Sequence, residues 1–115
     1  AEVYYMLAEC KLRAGNKGEA AALINEVRKR NFENGEDPNP VTAQNLDDEG
    51  YRMLKEWGIE FVGEGRRRTD LIRWNKFVNG TWWDHEPSNE EHLRRFPVPQ
   101  EAISGNNKLE QNPGY

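Results

Sequence analysis

The first thirty residues constrain the fold most. From Glu2 to Ala14, apolar residues recur at Val3, Tyr4, Leu7, Ala8, Cys10 and Leu12, a spacing that fits the helical repeat and not the two-residue alternation of a strand. Gly15-Asn16 supplies a left-handed stop. Lys17 to Arg30 then resumes the same period through Ala20, Ala21, Leu23, Ile24 and Val27, with Glu19, Asn25, Glu26 and Arg28 to Arg30 on the outer side. Cations at its far end suit the helix macrodipole. Two such helices with a short turn between them close into an antiparallel hairpin.

Further along, Asn31 to Asn45 is rich in Asn-Gly, Asp-Pro and Asn-Pro pairs and reads as a surface loop. A third helix is predicted from about Leu46 to Val62, with Leu54, Trp57, Phe61 and Val62 on one stripe and Gly50 and Gly58 weakening it. Gly63-Glu64-Gly65 kinks the chain into a fourth helix from about Arg66 to Phe77, presenting Leu71, Trp74 and Phe77 or Val78. Residues 79–115 read as loop and strap, in which Phe96-Pro97-Val98-Pro99 is extended, Gln100 to Ile103 makes a helical turn, and Phe96 and Tyr115 are buried. The prediction is a single all-α segment over 1–115: hairpin 1–30, loop 31–45, kinked helix pair 46–78, loop and Pro-rich strap 79–115.

Composition narrows the function. At 115 residues and 36% apolar content the chain suffices for one small domain. Sixteen Lys and Arg against twenty Asp and Glu leave a net charge of −4, so no global positive field attracts phosphate, and a nucleic-acid binder is disfavoured. Four each of Trp, Tyr and Phe are too many for a solvated chain. Cys10 is the single cysteine, which excludes an internal disulfide and a thiolate zinc cluster; in its helical pattern it reads as a small buried hydrophobe. No apolar run approaches the roughly 20 residues that span a bilayer. The chain opens without Met and already inside a helical pattern, so it reads as a piece of a longer protein whose signal or anchor lies upstream.

Glu56, Glu60 and Glu64 recur every fourth residue, and paired carboxylates are what a glycosidase needs. Arg66, Arg67, Arg68, Asp70 and Arg73 follow at spacings that pair opposite charges along a helix. Arginine depresses a neighbouring carboxyl and makes it a poor general acid, so Glu56, Glu60, Glu64, Arg66, Arg67, Asp70 and Arg73 are read as structural ion pairs. With such a network buried, Arg67→Ala costs about 3 kcal/mol. Asp84, His85, Glu86 and His92 include metal-ligand types without a ligand spacing, so no metal is assigned. Trp82-Trp83 in a polar loop suits saccharide stacking as well as anchoring the loop on the core; Tyr4, Tyr5, Trp57 and Trp74 are read as core. Asn79-Gly80-Thr81 fits a glycosylation sequon.

The spacing of Tyr4, Leu7, Ala8, Gly15, Ala20, Ile24 and Val27 resembles one tetratricopeptide unit, whose outer face needs neighbouring helices. Three stretches together resemble the carboxy-terminal part of the SusD/RagB family. They are AEVYYMLAE, AGN and EAAALINEVRKR; then Glu56, Glu60-Phe61, Glu64-Gly65-Arg66-Arg67 and Asp70-Leu71-Ile72-Arg73-Trp74; then Phe96-Pro97-Val98-Pro99-Gln100 with Gln111-Asn112-Pro113-Gly114-Tyr115. Trp57-Gly58, where the family usually has two arginines, and Arg68, where an aromatic is common, depart from the pattern.

The resemblance implies an α-helical nutrient-binding outer-membrane lipoprotein exposed at the cell surface, working with a SusC-like TonB-dependent transporter. It implies oligosaccharide capture by the full-length parent, no catalysis, no cofactor, and contact with the membrane only through an amino-terminal lipid anchor absent from this chain. This segment is then the parent's structural part, with Trp82 and Trp83 as candidate sugar contacts. A tetratricopeptide-type protein-interaction module and a glycoside hydrolase fragment using Glu56 or Glu60 are the alternatives. An uncovered outer face on the first helix leads us to expect self-association.

Overall fold

In the computed structural model, which describes residues 1–82 and 84–115, the described residues form helices α1 (Glu2–Arg13), α2 (Lys17–Arg28), α3 (Tyr51–Glu60), α4 (Arg67–Arg73) and α5 (Gln100–Gly105). Single 3-10 turns stand at Lys29–Asn31, Glu33–Gly35 and Glu91–Arg94. No strand occurs among the described residues, only an isolated antiparallel bridge between Trp82 and His85. The fold is all-α, as the helical period predicts. It divides into two compact units, Ala1–Asp70 and Leu71–Tyr115, with α4 straddling the division.

In the first unit α1 and α2 pack together across Gly15, whose φ of 81° is the left-handed stop. The amide of Asn16 reaches back to the Lys11 carbonyl at 2.8 Å and that of Gly15 to Leu12 at 2.9 Å. Ala8 and Ala20 are fully buried between the helices, and the large side chains of Tyr5, Leu12, Ile24 and Val27 surround them. The buried face of α1 is not the one expected. Tyr5, Ala8, Glu9 and Leu12 face inward, whereas Val3, Tyr4, Met6 and Leu7 are exposed, and so is Cys10, which is therefore not a buried hydrophobe. Tyr5 decides the rotation, because its ring meets Trp57 and Phe61 edge-on at 5.2 and 5.7 Å. A helix apolar on most of its circumference carries no periodicity that selects one face over another.

Residues 31–50 are tied down rather than free. Asn25, expected outside, turns its amide inward to accept from the Val41 N–H at 2.9 Å and donate to the Val41 carbonyl at 2.8 Å, which seats buried Val41. Helix α3 starts five residues later than expected, because Gly50 adopts φ 82° and belongs to the turn before it. Asp47 caps the start, accepting from Tyr51 N–H at 2.9 Å and Arg52 N–H at 2.8 Å. Burial works against its charge, yet those amides together hold its carboxyl below the usual range. Met53, Leu54 and Trp57 are buried along α3 and Phe61 just beyond it, but Val62 is 81% exposed and leaves the predicted stripe.

In the second unit the core is small: Leu71 and Val78 are buried, and Trp74, Phe77 and Trp82 are half-buried. Helix α4 ends at Arg73 instead of continuing to Phe77. Asn75 takes a left-handed φ of 55°, and the amides of Lys76 and Phe77 both return to the Leu71 carbonyl, at 2.7 and 3.1 Å, closing the helix. Phe96 is 71% exposed and Tyr115 47%, so neither is buried as expected. Pro97 and Pro99 fix the backbone there without giving it an apolar surface to cover.

Candidate functional site

The charged residues singled out by sequence fall into distinct groups. Glu56, 1% exposed, receives Arg28 Nη1 from α2 at 2.8 Å on one oxygen, and Arg52 Nη2 lies 2.8 Å from the other. Arg28 is shared: its Nε donates to Asp37 at 2.7 Å and its Nη2 to the Asn39 carbonyl at 3.1 Å. The bond to Asp37 is the main reason that Arg28 holds its proton above its ordinary range and Asp37 loses its own below the usual carboxylate range. Glu60 pairs with Arg30 in the 3-10 turn that follows α2. The acids of α3 thus bind Arg28 at the end of α2 and Arg30 in the turn after it, both of which the sequence pattern places outside.

A second cluster is built on an aromatic floor. The Arg66 guanidinium lies 3.9 Å from the Trp57 ring centre and 4.9 Å from that of Phe61, while Nε donates to Asp70 at 3.1 Å and Nη1 to Glu2 at 2.7 Å. Burial opposes its charge, but the two carboxylates outweigh that and raise its pKa. Beneath, the Trp57 indole N–H donates to buried Glu9 at 3.2 Å, and Glu9 also accepts from Arg13 Nε at 3.0 Å. Arg66 joins α1, α3 and α4 in one contact set.

Of the other predicted members, Arg67 feels the charge of Asp70 in the second cluster. Glu64 is exposed and forms no ion pair among the described residues. Arg67, exposed by area, lays its guanidinium against α3 beside Gly58 and donates to the Leu54 carbonyl, so the premise of a buried Arg67 fails. Arg68 is half-buried, and Arg73 is exposed at the end of α4. Sequence reasoning missed Glu9, Arg28, Arg30, Asp37 and Arg52. The signal for Glu9 is its place on the face of Ala8 and Leu12, and for Arg52 its position four residues before Glu56; nothing in a helical period announces the long-range partners of Arg28 and Arg30.

Trp82 belongs to a tight loop. Its N–H donates to the His85 carbonyl at 3.2 Å and the His85 N–H returns to the Trp82 carbonyl at 3.0 Å, with Asp84 at φ 59° between. The two rings are tilted by 32° with centres 3.8 Å apart, so the imidazole covers one indole face. Gly80 lets the ring edge approach: a Cβ there would stand 2.9 Å from Trp82 Cζ3. Trp83 lies outside the described residues. Nearby, Asn79 Nδ2 donates to Asn75 Oδ1 and Glu91 Oε1, both at 3.2 Å, and Arg94 bonds the same Asn75 oxygen.

Chemically, the acids of the first unit hold helices. Both Glu56 oxygens face guanidinium groups, and Asp70 is 2% exposed against Arg66. Such pairs fix geometry and charge instead of offering an open carboxylate pair to a substrate. Residues 1–115 match the sequence profile of the SusD family. The chain belongs to that family. It is 36% identical over 122 residues to the starch-binding protein SusD of Bacteroides thetaiotaomicron, a match that takes in 100% of this chain and 20% of that protein. To a SusD-like protein of Formosa agariphila it is 29% identical over 127 residues, covering 100% of this chain and 24% of the relative. It therefore spans a fifth to a quarter of these relatives' length. No solved structure matches it.

Proposed function

We propose that this chain is the structural carboxy-terminal segment of a glycan-binding lipoprotein at the outer-membrane surface, whose parent binds starch-like oligosaccharide and passes it to a SusC-like TonB-dependent transporter. The observation that carries the reading is the family match across 1–115, with a relative named for starch binding. The buried pairing of Glu56 and Asp70 supports it, since a hydrolase needs its carboxylates within reach of substrate. The parent is anchored by an amino-terminal lipid, and neither cofactor, metal nor nucleic acid enters its function. Trp82 and Trp83 are the sugar contacts of this segment, stacking an indole on the apolar side of a pyranose. The outward face of α1, with exposed Val3, Met6, Leu7 and Cys10, favours self-association of isolated copies.

Affinity electrophoresis of the full-length parent in starch tests the binding role. Retardation without release of reducing sugar is expected, weakened several-fold in Trp82→Ala. Hydrolysis that disappears in Glu60→Gln would establish the hydrolase instead. Sedimentation of the chain at several concentrations checks the self-association, which a constant monomer mass would refute.

A further inference from the structure

The last five residues grip residues 95–98 largely through side chains. The Gln111 carboxamide accepts from the Val98 N–H at 2.7 Å and donates to the Val98 carbonyl at 2.9 Å, a closed pair that imitates a neighbouring peptide group. Asn112 Nδ2 donates to the Phe96 carbonyl at 2.7 Å, and the Tyr115 hydroxyl to the Arg95 carbonyl at 2.7 Å. The Tyr115 ring stands edge-on to His92, with centres 4.9 Å apart. Between these anchors Asn112-Pro113-Gly114-Tyr115 turns with Pro second, Gly third at φ 99°, and the Tyr115 amide returning to the Asn112 carbonyl at 3.3 Å. On the opposite side, Pro97 and Pro99 hold the recognised segment extended.

The stretch joining the two partners has the character of a tether. Residues 106–110 are all exposed, and their hydrogen bonds among the described residues run only to sequence neighbours, such as Leu109 N–H to the Asn106 carbonyl at 3.0 Å. We propose that residues 92–98 form a peptide-binding surface whose own ligand is the sequence Gln-Asn-Pro-Gly-Tyr, and that this surface, once vacated, takes the same pentapeptide from outside the chain. Recognition is of the kind used when an extended peptide is added to a free backbone edge, with carboxamide groups standing in for the added strand. A few individually modest bonds hold it closed because the tether keeps the ligand at an effective concentration in the millimolar range.

Amide exchange at Val98, in the chain ending at Glu110, tests this. Removal of 111–115 speeds exchange at Val98 about tenfold or more, as the loss of one to two hydrogen bonds predicts. Millimolar Gln-Asn-Pro-Gly-Tyr restores protection, and Glu-Asn-Pro-Gly-Tyr, which lacks the donor for the Val98 carbonyl, does not. The Leu54 amide, bonded to the Gly50 carbonyl at 2.8 Å in the other unit, keeps its protection throughout. Unchanged Val98 exchange after truncation, or no response to the pentapeptide, overturns the proposal. Should truncation also expose Leu54, the full-length chain carrying Gln111→Glu decides: faster exchange at Val98 alone supports the proposal, and unaltered exchange overturns it.

Discussion

The two units hold themselves together by different means. In Ala1–Asp70, helices bury aromatic and aliphatic side chains and then insert carboxylate and guanidinium groups into the same interior, so that Glu9, Glu56 and Asp70 are as buried as Leu12, Leu46 and Leu54. In Leu71–Tyr115, few side chains are buried, and polar side chains instead satisfy main-chain groups across a loop-rich segment. Charge in a dry interior is costly to strand, whereas a half-exposed hydrogen bond broken in a loop is replaced by water. The contrast teaches where sensitivity lies: in the first unit a single side chain carries several helices, and in the second each bond carries a few residues.

The largest effect that would break this contrast, if it failed to appear, is in Arg28→Ala. That change strips Glu56 and Asp37 of their shared partner and lowers unfolding free energy by about 3–5 kcal/mol in urea titration. Alkali comes next. Burial first, and then the Glu56 charge, pushes the Tyr5 hydroxyl up from 10.0 to about 12. The folded chain thus keeps a proton that the unfolded chain releases, so stability is whole below pH 10, falls as pH rises, and is down by roughly 2–3 kcal/mol at pH 12. Tyr5→Phe should flatten that slope in pH-dependent melts. In the second unit, Gly114→Ala meets both a left-handed φ of 99° and a Cβ 2.6 Å from His92 Cβ, and costs about 2 kcal/mol with the loss confined to 71–115 in amide exchange. Smallest is Arg67→Ala, at about 1 kcal/mol, because the residue is exposed by area and its guanidinium, though partly desolvated against α3, donates to one carbonyl. A loss equal to that of Arg28→Ala would erase the distinction between buried and peripheral arginines.

Much of the helical architecture is legible in the sequence because local rules write it. The period of α2 and the Gly15-Asn16 stop act within a few residues, and α1 and α2 lie within two residues of their expected ends. Two boundaries fail for equally local reasons: Gly50 and Asn75 take left-handed angles that move the start of α3 and the end of α4. The face of α1 is not legible, since Val3, Tyr4 and Leu7 are as apolar as Tyr5, and only the ring cluster with Trp57 and Phe61, far along the chain, separates them. The ion pairs divide in the same way. Arg66 with Asp70 is an i, i+4 pair visible on a helical wheel, while Arg28 with Glu56 spans 28 residues and depends on packing that no short window contains. Gln111 with Val98 is similar, a match between two proline-marked motifs whose complementarity appears only when both are folded.

The guanidinium stacked 3.9 Å over Trp57, with the indole N–H engaged by a buried carboxylate, has an optical consequence. Shielded from water and polarised by a fixed cation, that fluorophore should emit at a different wavelength from the other indoles, so the difference spectrum between the chain and Trp57→Phe furnishes a label-free gauge of whether the first three helices are assembled.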